Sequence, residues 1–191
     1  MYYHASNVKG LKVLKPHVSM HGKSWVYFSD KKENVLIYLS NAVEKFIKDK
    51  YNRPLKEYKK WASYGFTKDG RVRIEEYYPN ATELTFKGVE GYIYKVEELK
   101  DKQPLNGIKN VFVTKEETIV SDVEKIQDAY DAVLEAEKQG LIEIERYETL
   151  SQERLQKIRK MITSEFEETQ NEDYKEFLLS NFVWLKEEKK Q

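Results

Sequence analysis

The sequence predicts an α+β protein in two parts: a β-rich region over residues 1–120 that carries one long helix, and an all-helical C-terminal region over residues 121–191 of about three helices. Three observations carry this. Short runs rich in Val, Ile, Tyr and Phe, separated by Gly, Pro, Asn and Asp, recur as far as Thr118-Ile119-Val120, which is the composition of strands joined by turns. Between Asp30 and Pro54 the apolar residues instead recur at a spacing of three and four, the pattern of one helical face. After Ser121 glycine falls to Gly140 alone, proline vanishes and heptad-like apolar spacing takes over.

Composition bounds the function classes. The 33 basic and 33 acidic side chains cancel, so no net field steers the chain to nucleic acid or to an anionic membrane. With no cysteine, disulfides, thiolate metal sites and a cysteine nucleophile are excluded. The start lacks the pattern of a secretory signal, and no run approaches the roughly 18 apolar residues of a membrane span. The expectation is a soluble, cytoplasmic protein. Aromatic residues make up 13% of the chain, enough to argue for a folded body with aromatic-lined surfaces.

Taken in order, residues 1–4 read as a strand, followed by an irregular loop over 8–16 with turn signals at Gly10 and Pro16. Trp25-Val26-Tyr27-Phe28 reads as a second strand. Asp30 and Glu33 then form a capping-box pattern, so a helix is predicted from Lys31, with Val35, Leu36, Leu39, Ala42, Val43, Phe46 and Ile47 on its buried face. Asp69-Gly70 predicts a hairpin, with Tyr58, Trp61, Tyr64 and Phe66 gathered around Gly65. Further strands are predicted over 71–78, 83–86, 91–96, 111–114 and 118–120. Ser121 with Glu124 makes a second capping box, predicting a helix through Val123, Ile126, Ala129, Tyr130, Val133 and Leu134 that Gly140 ends. Ser151 caps another helix carrying Leu155, Ile158, Met161, Ile162 and Phe166. A last one holds Tyr174, Phe177, Leu178, Phe182 and Leu185.

Phosphate-loop, dinucleotide-fingerprint, zinc-protease and nucleophile-elbow motifs are all absent from the sequence. His4, His17 and His21 do not have the spacing of a ligand set, so no metal site is expected. What remains is Tyr3-His4-Ala5-Ser6 on the first strand, Val26-Tyr27-Phe28-Ser29 on the second with a helix directly after it, and a late strand, Val111-Phe112-Val113-Thr114, that runs into Glu116 and Glu117. This order resembles the ADP-ribosyltransferase superfamily. The likeness is to its diphtheria-toxin-like branch, with the poly(ADP-ribose) polymerases and the small rifampin ADP-ribosyltransferases, and covers residues 1–120. Gly91-Tyr92-Ile93-Tyr94-Lys95-Val96-Glu97 is similar to a strand of the rifampin-modifying group.

The resemblance implies split β-sheets around an NAD cleft and transfer of ADP-ribose from NAD, the substrate, to an acceptor that is a protein, a nucleic acid or a small molecule. By the same resemblance, His4 hydrogen-bonds the ribose, the backbone of Ala5 holds the nicotinamide carboxamide with Ser6 beside it, and the ring of Tyr27 stacks on the nicotinamide. An acid then binds a ribose hydroxyl and orients the acceptor. Glu116 is favoured for that role, with Glu97 and Glu117 as competitors. Ala5 stands where the family usually carries glycine; a methyl group is tolerated there if the backbone is ordinary β. Breaking the nicotinamide–ribose bond passes through an oxocarbenium-like state, which asks a site to hold a flat amide and steady a ribose rather than to supply a strong nucleophile. Two other readings stay open: a non-catalytic NAD-, nucleotide- or protein-binding module with the same fold and the C-terminal helices as its partner surface, and an enzyme of the RNA 2′-phosphotransferase type, for which His17 and His21 would line the cleft.

Overall fold

The computed structural model describes residues 1–18, 22–61 and 63–188 and is a mixed α+β protein with antiparallel sheets. Its strands are β1 (Tyr2–Ser6), β2 (Val13–Leu14), β3 (His17–Val18), β4 (Ser24–Ser29), β5 (Tyr64–Phe66), β6 (Val72–Glu75), β7 (Gly91–Val96), β8 (Gln103–Pro104), β9 (Val111–Thr114), β10 (Thr118–Ile119), β11 (Asp122–Ile126) and β12 (Glu143–Glu145). Its helices are α1 (Ala42–Tyr51), α2 (Ala81–Phe86), α3 (Ala129–Lys138), α4 (Gln152–Glu168), α5 (Glu172–Asn181) and α6 (Trp184–Glu188), with 3-10 turns over Lys32–Tyr38 and Tyr147–Thr149. The chain divides into two compact units. The first comprises Met1–Leu39, Tyr64–Ile74 and Phe86–Glu143, and the second Ser40–Ser63, Glu75–Thr85 and Ile144–Gln191. Among the described residues, no helix is long and apolar enough to cross a membrane.

The first unit is organised by one sheet in the order β11-β7-β1-β4-β9-β8, with β3 also paired to β4. Strand alternation gives it two apolar faces. On one, Val26, Phe28, Tyr94 and Val96 pack with Leu14. On the other lies the 3-10 helix Lys32–Tyr38, whose Val35, Leu36 and Ile37 are buried. Leu39, at the end of that helix, sits so close to β7 that a Cβ on Gly91 would meet its Cδ2 at 2.5 Å, so a side chain at 91 would force Leu39 to shift. The hairpin β5–β6 turns at Gly70, where φ is +79°, as the Asp69-Gly70 signal predicts. Asn34 fastens this hairpin to the 3-10 helix. It is buried, donates from Nδ2 to the Gly70 carbonyl at 2.8 Å and accepts at Oδ1 from the Val72 N–H at 2.9 Å.

The second unit is built on aromatic packing. Trp61 touches the rings of Tyr77, Tyr78, Tyr174, Phe177 and Phe182, the closest centroid, that of Phe177, at 5.3 Å. Its Nε1 donates to Ser63 Oγ, giving the polar tip of this half-buried indole a partner. Ile158 and Ile162 of α4 and Leu178 of α5 close the same cluster. Asp173, buried in the first turn of α5, accepts both arms of the Arg53 guanidinium and the Lys56 N–H at 2.8 Å. Chiefly through Arg53, its carboxyl is held down to about 2.

Several sequence expectations are corrected. The helix predicted from Lys31 is two elements, because the chain leaves helical geometry at Asn41 (φ −123°), whose side chain caps α1 at the Val43 N–H. The helix predicted to start at Ser121 does not: residues 122–126 form β11 on the open edge of β7, and α3 begins at Ala129 under the Asp128 cap. Five paired positions along β7 outweigh a solvent-exposed capping pattern. The proposed boundary at Ser121 therefore fails, since β11 and α3 both belong to the first unit. Residues 83–86, read as a strand, lie in α2, where the Glu76 carboxylate accepts the Thr82 N–H at 2.9 Å and so caps the helix start. The loop over 8–16 contains β2, paired with β10. The Ser151 cap and the helix after it are as expected, with Ser151 Oγ accepting from the Arg154 N–H.

Replacing Asn34 strands two buried backbone groups, each worth about 1–3 kcal/mol when unsatisfied. Asn34→Ala is expected to lower stability by about 2–4 kcal/mol in urea denaturation; a change below 1 kcal/mol would contradict the clamp.

Candidate functional site

The centre of the first unit is a fork in its sheet. β1 is paired with β7 along its whole length, and β4 with β9 over four positions, yet β1 and β4 share only Tyr3 with Ser29. The direction of the backbone groups follows from alternation. The Lys95 carbonyl points toward the β11 side of β7, where it accepts the Ser121 N–H at 2.9 Å. Tyr92, Tyr94 and Val96 therefore bond toward β1, and their partners there are Ser6, His4 and Tyr2. Tyr3 and Ala5 are left to turn their N–H and C=O toward β4. Tyr3 meets Ser29. At Ala5 pairing has ended, and the ladder offers its backbone groups no partner on that side. The Tyr27 carbonyl, which continued pairing would give to Ala5, is taken instead by His4 Nδ1 at 2.9 Å.

That bond fixes the chemistry of the imidazole. A carbonyl oxygen only accepts, so Nδ1 carries the proton and Nε2 presents its lone pair. Burial, the largest influence, lowers the His4 pKa below its ordinary value; the bond to Tyr27 opposes this, and like charge on His17 adds to it. At neutral pH His4 is thus an uncharged hydrogen-bond acceptor at Nε2. The Tyr3–Ser29 register sets His4 across from Phe28, with ring centroids 5.8 Å apart.

Tyr27 projects to the alternate face, the one shared by Ala5 and the 3-10 helix. There it belongs to a tier of half-buried aromatic rings. Trp25 lies edge-on to Tyr27 at 6.1 Å. Tyr38, at the end of the 3-10 helix, is close enough to feel Tyr27 electrostatically, and its hydroxyl pKa is pushed far up by burial and then by Tyr64 and Tyr27. Tyr64 stands edge-on to both Tyr38 and Phe66 at 6.1 Å. Half-buried tyrosine rings on one face suit a flat ring. Tyr38 and Tyr64 were not singled out from the sequence as site residues: Tyr38 falls within the predicted helix but off its apolar stripe, and Tyr64 reads as a hairpin residue.

The other predicted site residues are distributed as follows. Ala5 has no left-handed backbone, so its methyl group carries no strain. Ser6 Oγ accepts the Val8 N–H at 3.1 Å and holds a turn. Glu116 and Glu117 are exposed and follow β9 at the end where Val26 pairs with Thr114, which is the open end of the fork. Glu117 pairs with Lys15 at 3.0 Å. Glu97 follows Val96, opposite Tyr2, at the closed end, so strand register brings Glu116 and Glu117, and not Glu97, toward the side of the sheet where Ala5 and Tyr27 part. His17 is exposed on β3 opposite Trp25; His21 lies outside the described residues. Among the described residues, no group of three or more acidic or histidine side chains is arranged to hold a metal ion.

Comparison with known protein families, with curated proteins and with solved structures returns no match.

Because His4 is held neutral in the fold while its unfolded counterpart protonates near its ordinary pKa of about 6.5, the unfolded state takes up the proton first on acidification. The contribution is present above pH of about 6.5 and is lost as pH falls below it. Thermal melts from pH 7.5 to 5 should lose more stability in the wild-type protein than in His4→Gln; parallel curves would contradict a desolvated neutral imidazole.

Proposed function

We propose that the first unit has a split-sheet fold of the ADP-ribosyltransferase type, binds NAD at the fork between β1 and β4, and transfers its ADP-ribose group to an acceptor. The observation that carries this reading is the coincidence at one fork of three features. The β1–β4 ladder ends before Ala5, the His4 ring is held as a neutral acceptor, and the Tyr27 ring projects to the face that Ala5 shares, with Tyr38 near enough to act on it electrostatically. A primary carboxamide offers two N–H donors and a C=O acceptor, of which one N–H and the C=O are complementary to a strand edge. Tyr27 stacks on the nicotinamide ring, and Nε2 of His4 accepts from a ribose hydroxyl.

None of these groups is a nucleophile, and the reaction does not require one from the protein. The bond from ribose C1′ to the nicotinamide nitrogen breaks with its electron pair leaving on neutral nicotinamide. The acceptor's heteroatom attacks C1′ and gives up its proton. The site's part is to hold the two rings of the reacting half in register while the cationic sugar forms. Glu116, on the open side of the fork, is proposed to orient the acceptor, with Glu117 the neighbouring alternative. The acceptor is a protein, a nucleic acid or a small molecule, and the helical second unit is proposed as a protein-partner surface.

Nicotinamide release from NAD by the purified protein tests this. Loss of one base-to-aromatic stack is worth about 1–3 kcal/mol, so Tyr27→Ala should lower release about tenfold or more with the unfolding midpoint retained. His4→Ala should lower it as well. A wild-type protein that releases no nicotinamide and shows no thermal shift with saturating NAD would overturn the reading.

A further inference from the structure

We propose that Tyr64, on the β5–β6 hairpin, is a positioning residue that holds Tyr38 as the second wall of the nicotinamide site, so that the hairpin sets how flat and how wide that site is. This rests on the reading of the fork as an NAD site. The two rings are perpendicular, 88° apart with centroids at 6.1 Å, an edge-to-face arrangement that resists rotation of either ring. Their hydroxyls are hydrogen-bonded to each other, which satisfies two polar tips that are otherwise awkward on half-buried rings. Phe66 backs Tyr64 from the same strand at 6.1 Å and 84°.

The support is tied into the element that it supports. Tyr64 and Phe66 are paired with Ile74 and Val72 of β6. Asn34, on the 3-10 helix that carries Tyr38, bonds the hairpin at Gly70 and Val72. Lys31 Nζ adds a bond to the Asp69 carbonyl at 3.2 Å. The helix and hairpin therefore move as one piece, and the Tyr38 ring is oriented before any ligand arrives. Such preorganisation raises affinity by removing an ordering cost that binding otherwise carries. It acts on binding of the flat ring and not on the bond that breaks, so its signature lies in KM and in nicotinamide affinity and not in kcat.

The test compares the wild-type protein with Tyr64→Leu and Tyr64→Phe, using NAD turnover, calorimetric binding of nicotinamide alone and urea denaturation of each variant. Tyr64→Leu removes the ring and should raise KM for NAD and weaken nicotinamide about five- to tenfold, with kcat within about twofold. Tyr64→Phe keeps the ring, loses only the hydroxyl bond and should lie closer to wild type. Variants with wild-type KM and nicotinamide affinity overturn this inference alone. So does a loss that falls equally on kcat and tracks the folded fraction, which is a purely structural effect. A wild-type protein that binds neither NAD nor nicotinamide overturns the NAD reading itself and this inference with it.

Discussion

The first unit turns on one hydrogen bond, from Nδ1 of His4 to the carbonyl of Tyr27. In an unbroken antiparallel sheet that carbonyl would pair with the Ala5 N–H, and the strand edge would be consumed by the ladder. A side chain takes its place, so the carbonyl is satisfied outside the ladder. A buried backbone acceptor without a partner costs about 1–3 kcal/mol, so this substitution is what makes the gap stable enough to persist. It also sets the protonation state of the imidazole, since the partner is obligately an acceptor. One contact thus stands where the β1–β4 ladder would continue and fixes the tautomer, leaving the lone pair on Nε2.

The rest of the unit keeps the gap in place. β1 cannot drift toward β4, because it is paired with β7 at five positions. β4 is held from its other side by β9. The segment that ends the short helix is pressed against β7, so that a side chain at 91 would displace Leu39. Asn34 then recruits the hairpin, and with it Tyr64 and Phe66, to the same face. The tyrosine tier is therefore assembled from three sequence segments around a sheet that is rigid on both flanks.

What was legible in the sequence, and what was not, follows from the range of the forces involved. β1, β4, β7 and β9 were legible because β-branched and aromatic runs bounded by turn residues report on local backbone preference. The Ser151 cap and the Asp69-Gly70 turn were legible for the same reason. The division of the 31–54 segment was hidden, because its apolar spacing continues across Asn41 while the cap at Asn41 interrupts the backbone. β11 was misread because Ser121 and Glu124 imitate a capping box, and only the open edge of β7, distant in sequence, decides for a strand. Of the proposed site, His4, Ala5 and Tyr27 were singled out through their resemblance to a family pattern, whereas Tyr38 and Tyr64 come near one another and Tyr27 only through tertiary packing. Which end of the fork Glu97 and Glu116 lie toward depended on strand register, which composition does not encode.

The central claim is that the Ala5 edge left open by His4 receives a carboxamide. The most direct measurement is the backbone amide resonance of Ala5 during titration with nicotinamide. The account predicts a saturable shift of that amide and its added protection from solvent exchange, with Tyr27 ring signals moving at the same concentrations and His4→Ala weakening all three. An Ala5 amide that neither shifts nor gains protection while nicotinamide or NAD binds elsewhere on the protein would contradict it.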